Sequence, residues 1–138
     1  MFTSLGYFDD EVENFQVLQG ISELLALGGR FMIETVNRDF LVRHFTPLEW
    51  FRFSDMLVFE KRHLDIVTNR STVEVTIIEN GLEQQLYHSI RVYAFTELEM
   101  LLASVGLNTT SVFGGFGGEA YDWDSKGMIV AGVKGSDG

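Results

Sequence analysis

The residues best placed to do chemistry follow a short apolar run. Phe31, Met32, Ile33 and Val36 form the run, with Glu34 and Thr35 inside it, and Asn37-Arg38-Asp39 come next. Introduced by Gly28-Gly29, it reads as a strand buried on both faces, of the kind found in parallel sheets. The loop leaving such a strand lies at its carboxyl end, where open α/β sheets bind ligands. Glu34, Asn37 and Arg38 fall at or near that edge, and an arginine there can grip a carboxylate or phosphate through its fork of donors. Further on, Leu82, Leu86, Ile90 and Val92 share one side of an alternating stretch, with Glu83, Gln85, Ser89 and Arg91 on the other. His88 falls on the apolar side, either as a packed, hydrogen-bonded side chain or, where that face overlies a pocket, as a ligand contact. Arg91 and Tyr93 fall opposite, where an arginine is either part of a solvated sheet face or a clamp for an anionic group.

Other motifs carry less. Gly115 to Ala120 matches G-x-G-x-x-A, but Tyr121-Asp122-Trp123-Asp124 follows instead of a helix, and Glu119 would repel phosphate. A hairpin loop is expected there. His44, His63 and His88 are far apart and lack metal-ligand spacing, so no metal is expected. No Ser/His/Asp order, P-loop or H-E-x-x-H pattern is present, and the motifs assign no catalytic residue.

The elements that must position these residues follow from periodicity. Asp10 and Glu13 have the spacing of a capping box, opening a helix with Phe15, Leu18, Ile21 and Leu25 on its core stripe. Gly28 or Gly29 closes it in the left-handed conformation. Asp39 to Phe45 reads as a short helix that Thr46-Pro47 stops. Residues 50–93 contain extended runs at Trp50–Phe59, Leu64–Thr68, Thr72–Ile78 and Leu82–Tyr93. Asn80-Gly81 between two of them is a strong hairpin signal. These runs predict an antiparallel sheet of three or four strands with at least one face covered. Thr96 and Glu99 repeat the capping-box spacing and open a helix over Leu98, Leu101 and Leu102, which Gly106 ends. Leu107–Phe113 and Met128–Val133 read as an antiparallel pair across a glycine-rich bend.

Composition sets the class. The chain has 138 residues, 46% of them apolar, enough for one compact core and a single domain. A net charge of −10 argues against nucleic acid and against anionic membrane surfaces as partners. No apolar run approaches the ~20 residues of a membrane helix. Zero cysteines excludes disulfides and thiol catalysis and fits a reducing compartment. With no leader pattern at the start, a soluble, cytoplasmic protein is expected.

The order of these elements resembles the C-terminal half of class I S-adenosylmethionine-dependent methyltransferases. Phe2-Thr3-Ser4-Leu5-Gly6-Tyr7-Phe8 resembles the segment that follows the family's fourth strand. Leu27-Gly28-Gly29-Arg30-Phe31 resembles the entry to the fifth. Arg91-Val92-Tyr93-Ala94-Phe95-Thr96-Glu97-Leu98 resembles the entry to the last helix, Ala103-Ser104-Val105-Gly106-Leu107 its exit, and Met128 to Lys134 the closing strand. The resemblance implies an α/β fold: a partial Rossmann-like core from residues 1–49 and 94–138, with residues 50–93 as an inserted antiparallel cap over the substrate. It implies S-adenosylmethionine as cofactor, with Phe2, Thr3 and Ser4 beside its methionine end, and a small-molecule acceptor facing Tyr7, Asn37, Arg38, His88 and Arg91. The family's acidic-x-G-x-G-x-G loop and its first three strands have no counterpart here. The expectation is therefore a truncated form, a shortened reading frame or one part of a split enzyme, holding the cofactor weakly or not at all alone. An exposed edge of the fifth strand would invite a second copy or the missing half. The alternative reading is a non-catalytic ligand-binding or dimerisation module built on the antiparallel sheet.

Overall fold

A computed structural model describes residues 1–6 and 11–135. Two four-stranded sheets organise it. The core sheet has the order β1-β2-β8-β7, from β1 (Phe2–Ser4), β2 (Arg30–Val36), β7 (Leu107–Phe113) and β8 (Gly127–Lys134). β1 runs parallel to β2, and β8 pairs antiparallel with both β2 and β7. Helices α1 (Glu11–Leu24) and α3 (Phe95–Ser104) contribute to one buried cluster with this sheet. Leu18 and Ile21 come from α1, Leu98 and Leu102 from α3, and Phe31, Ile33, Met128 and Val130 from the sheet. The Ser22 hydroxyl donates to the Val105 carbonyl at 2.5 Å and ties the two helices together.

β2 departs from the expectation of two buried faces. Phe31, Ile33 and Thr35 are buried, whereas Met32, Glu34 and Val36 are only half-buried. Both helices lie on one side, so the described residues build two layers rather than the three of a doubly wound sheet. The second face carries a groove of about 660 Å³ lined by Phe2, Met32, Ala131 and Val133 among others. Nor is β2 an open edge. β8 pairs along all seven of its residues and β1 along three, so among the described residues the sheet's free edges are the outer sides of β1 and of β7.

The helix ends show which local signals prevailed. Asp10 lies outside the described residues, and so does the first capping-box expectation with it. The glycine exit does not close α1: the helix ends at Leu24, and Gly28 takes its φ of +79° within the turn that Gly29 N–H closes onto Ala26 O at 2.8 Å. α1 has no basic residue in its last turn. Lys134, at the end of β8, supplies the cation instead, donating its Nζ to the carbonyls of Ser22 and, at 2.9 Å, Leu25. The second capping box does not form. α3 starts at Phe95 with Ala94 as N-cap and no side-chain cap, one residue before Thr96 could serve. Glu97 in that first turn bonds Arg91.

Between β2 and α3 lie the short helix α2 (Arg38–Arg43) and the second sheet, a meander in the order β3-β4-β5-β6. Its strands are β3 (Leu48–Phe53), β4 (Met56–Asp65), β5 (Arg70–Glu79) and β6 (Leu82–Arg91). The expected run Trp50–Phe59 is broken at Ser54, whose φ of 55° makes a tight turn without glycine. The expected run Leu64–Thr68 is the end of β4 and the turn after it. Asn80 and Gly81 both have positive φ, 52° and 74°, and join β5 to β6 as a two-residue hairpin. The expectation of a covered face fails among the described residues. β3 is exposed at every position, and β6 from Leu82 to His88.

Replacing Lys134 by Met removes the cation that holds the end of α1. Chemical denaturation of Lys134→Met is expected to show a loss of about 1–2 kcal/mol, with the helical signal retained.

Candidate functional site

The carboxyl edge of β1 and β2 is where the two sheets meet. After β1 the chain turns through Leu5 and Gly6. Leu5 N–H donates to Glu34 O at 3.0 Å, and its carbonyl accepts from the Thr35 hydroxyl at 3.0 Å. Gly6 O accepts from Arg91 N–H at 2.7 Å, joining this turn to the end of β6. Gly6 has φ +102°, and a Cβ there would run into the Arg91 carbonyl, so a side chain is excluded twice over.

Asn37 is the hub of the edge. It is 1% exposed and caps α2, its Oδ1 accepting from Asp39 N–H at 3.0 Å. The same Oδ1 accepts from the Tyr121 hydroxyl at 2.8 Å. Its Nδ2 donates to Asp122 O at 3.2 Å and to Ser125 O at 2.7 Å. A carboxamide has two donor hydrogens and two acceptor lone pairs, and all four are used within the protein. Expected beside the acceptor, Asn37 instead holds the 121–126 loop against the strand end. Salt links extend the same clamp, with Arg43 at 3.5 Å and His44 at 3.9 Å from Asp124, and Arg43 over the Trp123 ring at 5.9 Å.

Arg91 is equally engaged. It is only 8% exposed, so neither a solvated face nor an open clamp describes it. Its guanidinium donates to Glu97 Oε2 at 2.6 Å and to the Val92 carbonyl, and lies 4.3 Å from the Tyr93 ring centre. Sheet-root arginine and helix-start glutamate thus bind the meander to α3.

Arg38 remains half-open at the edge. Its Nε donates to Asn69 Oδ1 at 2.8 Å, Asp39 lies at 3.6 Å, and Asn69 O accepts from Val92 N–H at 2.8 Å. Thr3 pairs with Ile33 and Ser4 with Glu34, leaving Ser4 exposed at the strand end. Phe2 is 52% exposed and packs on Phe116, with ring centres 5.7 Å apart. Tyr7 lies outside the described residues. His88, read as either a packed side chain or a ligand contact, is exposed on the apolar face of the meander, opposite Val73, and so is not packed. Thus Arg38, Asn37, Arg91 and the end of β1 come together, while His88 lies on the far side of the sheet from Arg91.

Sequence reasoning missed a polar cleft at the root of the meander. His63, Asp65, Thr68, Arg70, Thr72, Tyr87 and Ser89 line a cavity of about 480 Å³. Arg70 Nε donates to Ser89 Oγ at 3.1 Å, and the Asp65 carboxylate accepts from Val67 and Thr68 N–H. These backbone bonds, from Thr68 above all, hold the Asp65 carboxyl below its usual range. Thr68 and Arg70 of its lining flank Asn69, whose side chain holds Arg38. Period-two alternation in β4 to β6 carries the signal, but the strand register is needed to read it.

No family model matches the chain, and no curated protein matches it. Solved structures do match its fold. The CcbJ methyltransferase from Streptomyces caelestis superposes with a TM-score of 0.85 at 16% identity, over 98% of this chain and 56% of the other. An S-adenosylmethionine-dependent methyltransferase from Clostridium acetobutylicum ATCC 824 gives 0.83 at 12% identity, over 98% and 57%. CalS10 from Micromonospora echinaspora, an amino pentose methyltransferase solved with its cofactor, gives 0.63 at 15% identity, over 96% and 57%. The chain spans a little over half the length of these proteins. It has the α/β fold of the C-terminal half of a class I S-adenosylmethionine-dependent methyltransferase, with an inserted antiparallel sheet.

Asn37→Ala would strand the Tyr121 hydroxyl and two loop carbonyls. Chemical denaturation is expected to show a loss of about 3 kcal/mol or more, and hydrogen exchange a faster 121–126 loop. Tyr121→Phe is expected to cost about 1 kcal/mol. Burial, with the Asp39 charge second, pushes the Tyr121 phenol above its ordinary value of 10.0. The folded state then keeps a proton that the unfolded chain gives up. This contribution to stability is complete below pH 10 and declines as pH rises beyond it. Absorbance titration should show a late-titrating tyrosine that is lost in Tyr121→Phe.

Proposed function

We propose that this chain is the acceptor-binding part of a class I S-adenosylmethionine-dependent methyltransferase acting on a small molecule in the cytoplasm. The observation that carries the reading is topological. A methyltransferase-like strand order, β1-β2-β8-β7, is interrupted between β2 and α3 by a meander rooted at the carboxyl edge. Ligands of open α/β sheets sit at that edge, and a sheet inserted there can cover one. CalS10 acts on an amino pentose, which supports a small polar acceptor.

The cofactor supplies an electrophilic methyl group when bound. Among the described residues only one wall for it exists: the exposed Ser4 at the end of β1 and the turn at Gly6. Thr3 is turned toward the core face opposite Ile33, and Phe2 toward the second face. Among the described residues no glycine loop accompanies them, so the chain by itself does not fit the group, and no step is derived through it. What this chain does is position. Arg38, fixed by Asn69, faces the acceptor, and Tyr7 is a second acceptor-side residue by resemblance alone. Asn37 and Arg91 hold the edge and the cap in register, and His88 contacts the acceptor only if the apolar face of the cap turns inward. Orientation of this sort is a large share of catalysis in transfer between two bound molecules.

A remaining half, or a second copy, would add its strand to the outer edge of β1. The non-catalytic module is the second reading, favoured by the exposed apolar positions of the meander, Phe53 and Leu82 among them.

Calorimetric titration of this chain with S-adenosylmethionine is expected to give little or no heat. Joined with a polypeptide supplying the first three strands, it should bind the cofactor and turn over. In that assembly Arg38→Ala should lower turnover at least tenfold with cofactor binding intact. Turnover unchanged by Arg38→Ala removes the acceptor-side assignment, and an assembly that binds no cofactor favours the module.

A further inference from the structure

One face of the meander carries two chemically distinct hollows on the same side of the sheet. The register places Trp50 opposite Phe59, Phe59 opposite Thr76, and Thr76 opposite Gln85 in one row. Two residues toward the root, Lys61, Glu74 and Tyr87 form the next row. Two further, His63, Thr72 and Ser89 form the third, inside the polar cleft. Period-two alternation puts all three rows on the same side of the sheet.

The cavities on this side join. Leu48, Trp50, Phe59, Lys61, Glu74 and Thr76 bound a hollow of about 350 Å³. A hollow of about 230 Å³ shares Glu74 and Thr76 with it and shares Tyr87 with the polar cleft. The trough is therefore apolar and aromatic at one end and hydrogen-bonding at the other. From Thr76 to Thr72 is four residues of strand, roughly 13 Å.

The chemistry of each end limits what fits. Trp50 is 66% and Phe59 42% exposed, a cross-strand aromatic pair open to solvent. Such a pair binds a flat ring by offset stacking. The cleft mixes a carboxylate, a guanidinium, an imidazole and several hydroxyls without one sign of charge prevailing. A neutral, multiply hydroxylated head satisfies both its donors and its acceptors, and the exposed Tyr87 ring can pack on that head's C–H face. We propose that this trough binds an aromatic-tailed, polyhydroxylated small molecule, the ring on Trp50 and Phe59 and the head in the His63–Tyr87 cleft. In the methyltransferase reading this molecule is the acceptor, its head held near the carboxyl edge. The binding itself requires no cofactor, so this proposal and that reading fail separately.

The test uses the chain as it is, with 4-nitrophenyl β-D-glucoside and methyl β-D-glucoside as probe ligands, followed by saturation-transfer NMR and calorimetry. The aryl glucoside is expected to bind at least tenfold more tightly than the methyl one. Trp50→Ala should abolish that difference, and Tyr87→Ala should weaken both ligands several-fold. Both side chains are exposed, so circular dichroism should show each variant folded. Equal affinity for the two glucosides, no saturable binding of either, or no effect of Trp50→Ala overturns the proposal. A dimer that Trp50→Ala converts to monomer, seen by light scattering, overturns it in favour of a second copy on this face.

Discussion

The Asn37 carboxamide is the interaction on which the rest of the arrangement depends. It sits where β2 ends, α2 begins, the 121–126 loop returns and the chain leaves the meander at Tyr93, whose backbone bridges to it. Only asparagine satisfies all of these at once. Aspartate would cap α2 equally well, since its carboxylate accepts from Asp39 N–H. It could not donate to Asp122 O and Ser125 O, and a buried carboxylate facing two carbonyls would be strongly disfavoured. Serine or threonine could cap the helix but has a single donor hydrogen and could satisfy only one of the two loop carbonyls. A single side chain thus couples a helix start, a strand end and a loop.

That coupling gives the meander a defined seat. A sheet that is largely exposed on both faces has little burial with which to orient itself on a core. Its orientation must come from its root. There, Gly6 O holds Arg91 N–H, Arg38 holds Asn69, and Arg91 holds Glu97 at the start of α3. Each is a directional bond, two of them to charged groups, in a partly buried setting where such bonds count for more than on an open surface. The buried polar positions Asn37 and Arg91 therefore have a geometric task, while the apolar cluster supplies the bulk of stability.

What could be read from the chain in advance follows the same division between local and distant causes. Asn80-Gly81 announces its hairpin because the required positive φ values are local properties of those residues. Ser54 makes an equally tight turn with no such signature, and the β3–β4 boundary is lost with it. Thr96 has the spacing of a cap, but the adjoining strand decides where α3 starts, because Arg91 claims Glu97. The apolar run at Phe31 is legible as a strand, but its one-sided burial depends on where α1 and α3 pack. The site is least legible of all. Asn37 was visible as a polar residue at a strand end, but its partners Tyr121, Asp122 and Ser125 lie 84 to 88 residues away. The cleft around His63 and Tyr87 needs three strands in register before its members share a face.

The uneven burial of the core sheet has a physical consequence of its own. Strands flanked on both sides in a mixed sheet are stable when both faces are covered. Here β2 and β8 are paired along their full length, yet only the face toward α1 and α3 is fully packed. The opposite face, with Phe2, Met32, Ala131 and Val133 around a groove, ends at the unpaired outer side of β1. An open apolar face and an open parallel edge lie side by side, so one neighbouring strand with its helix would complete both together. The solved proteins of this fold are nearly twice as long as the part this chain matches. In the proposed reading, a strand–helix unit laid against β1 would meet both features. The carboxyl edge that Asn37 organises would then gain the second wall that Ser4 and Gly6 lack.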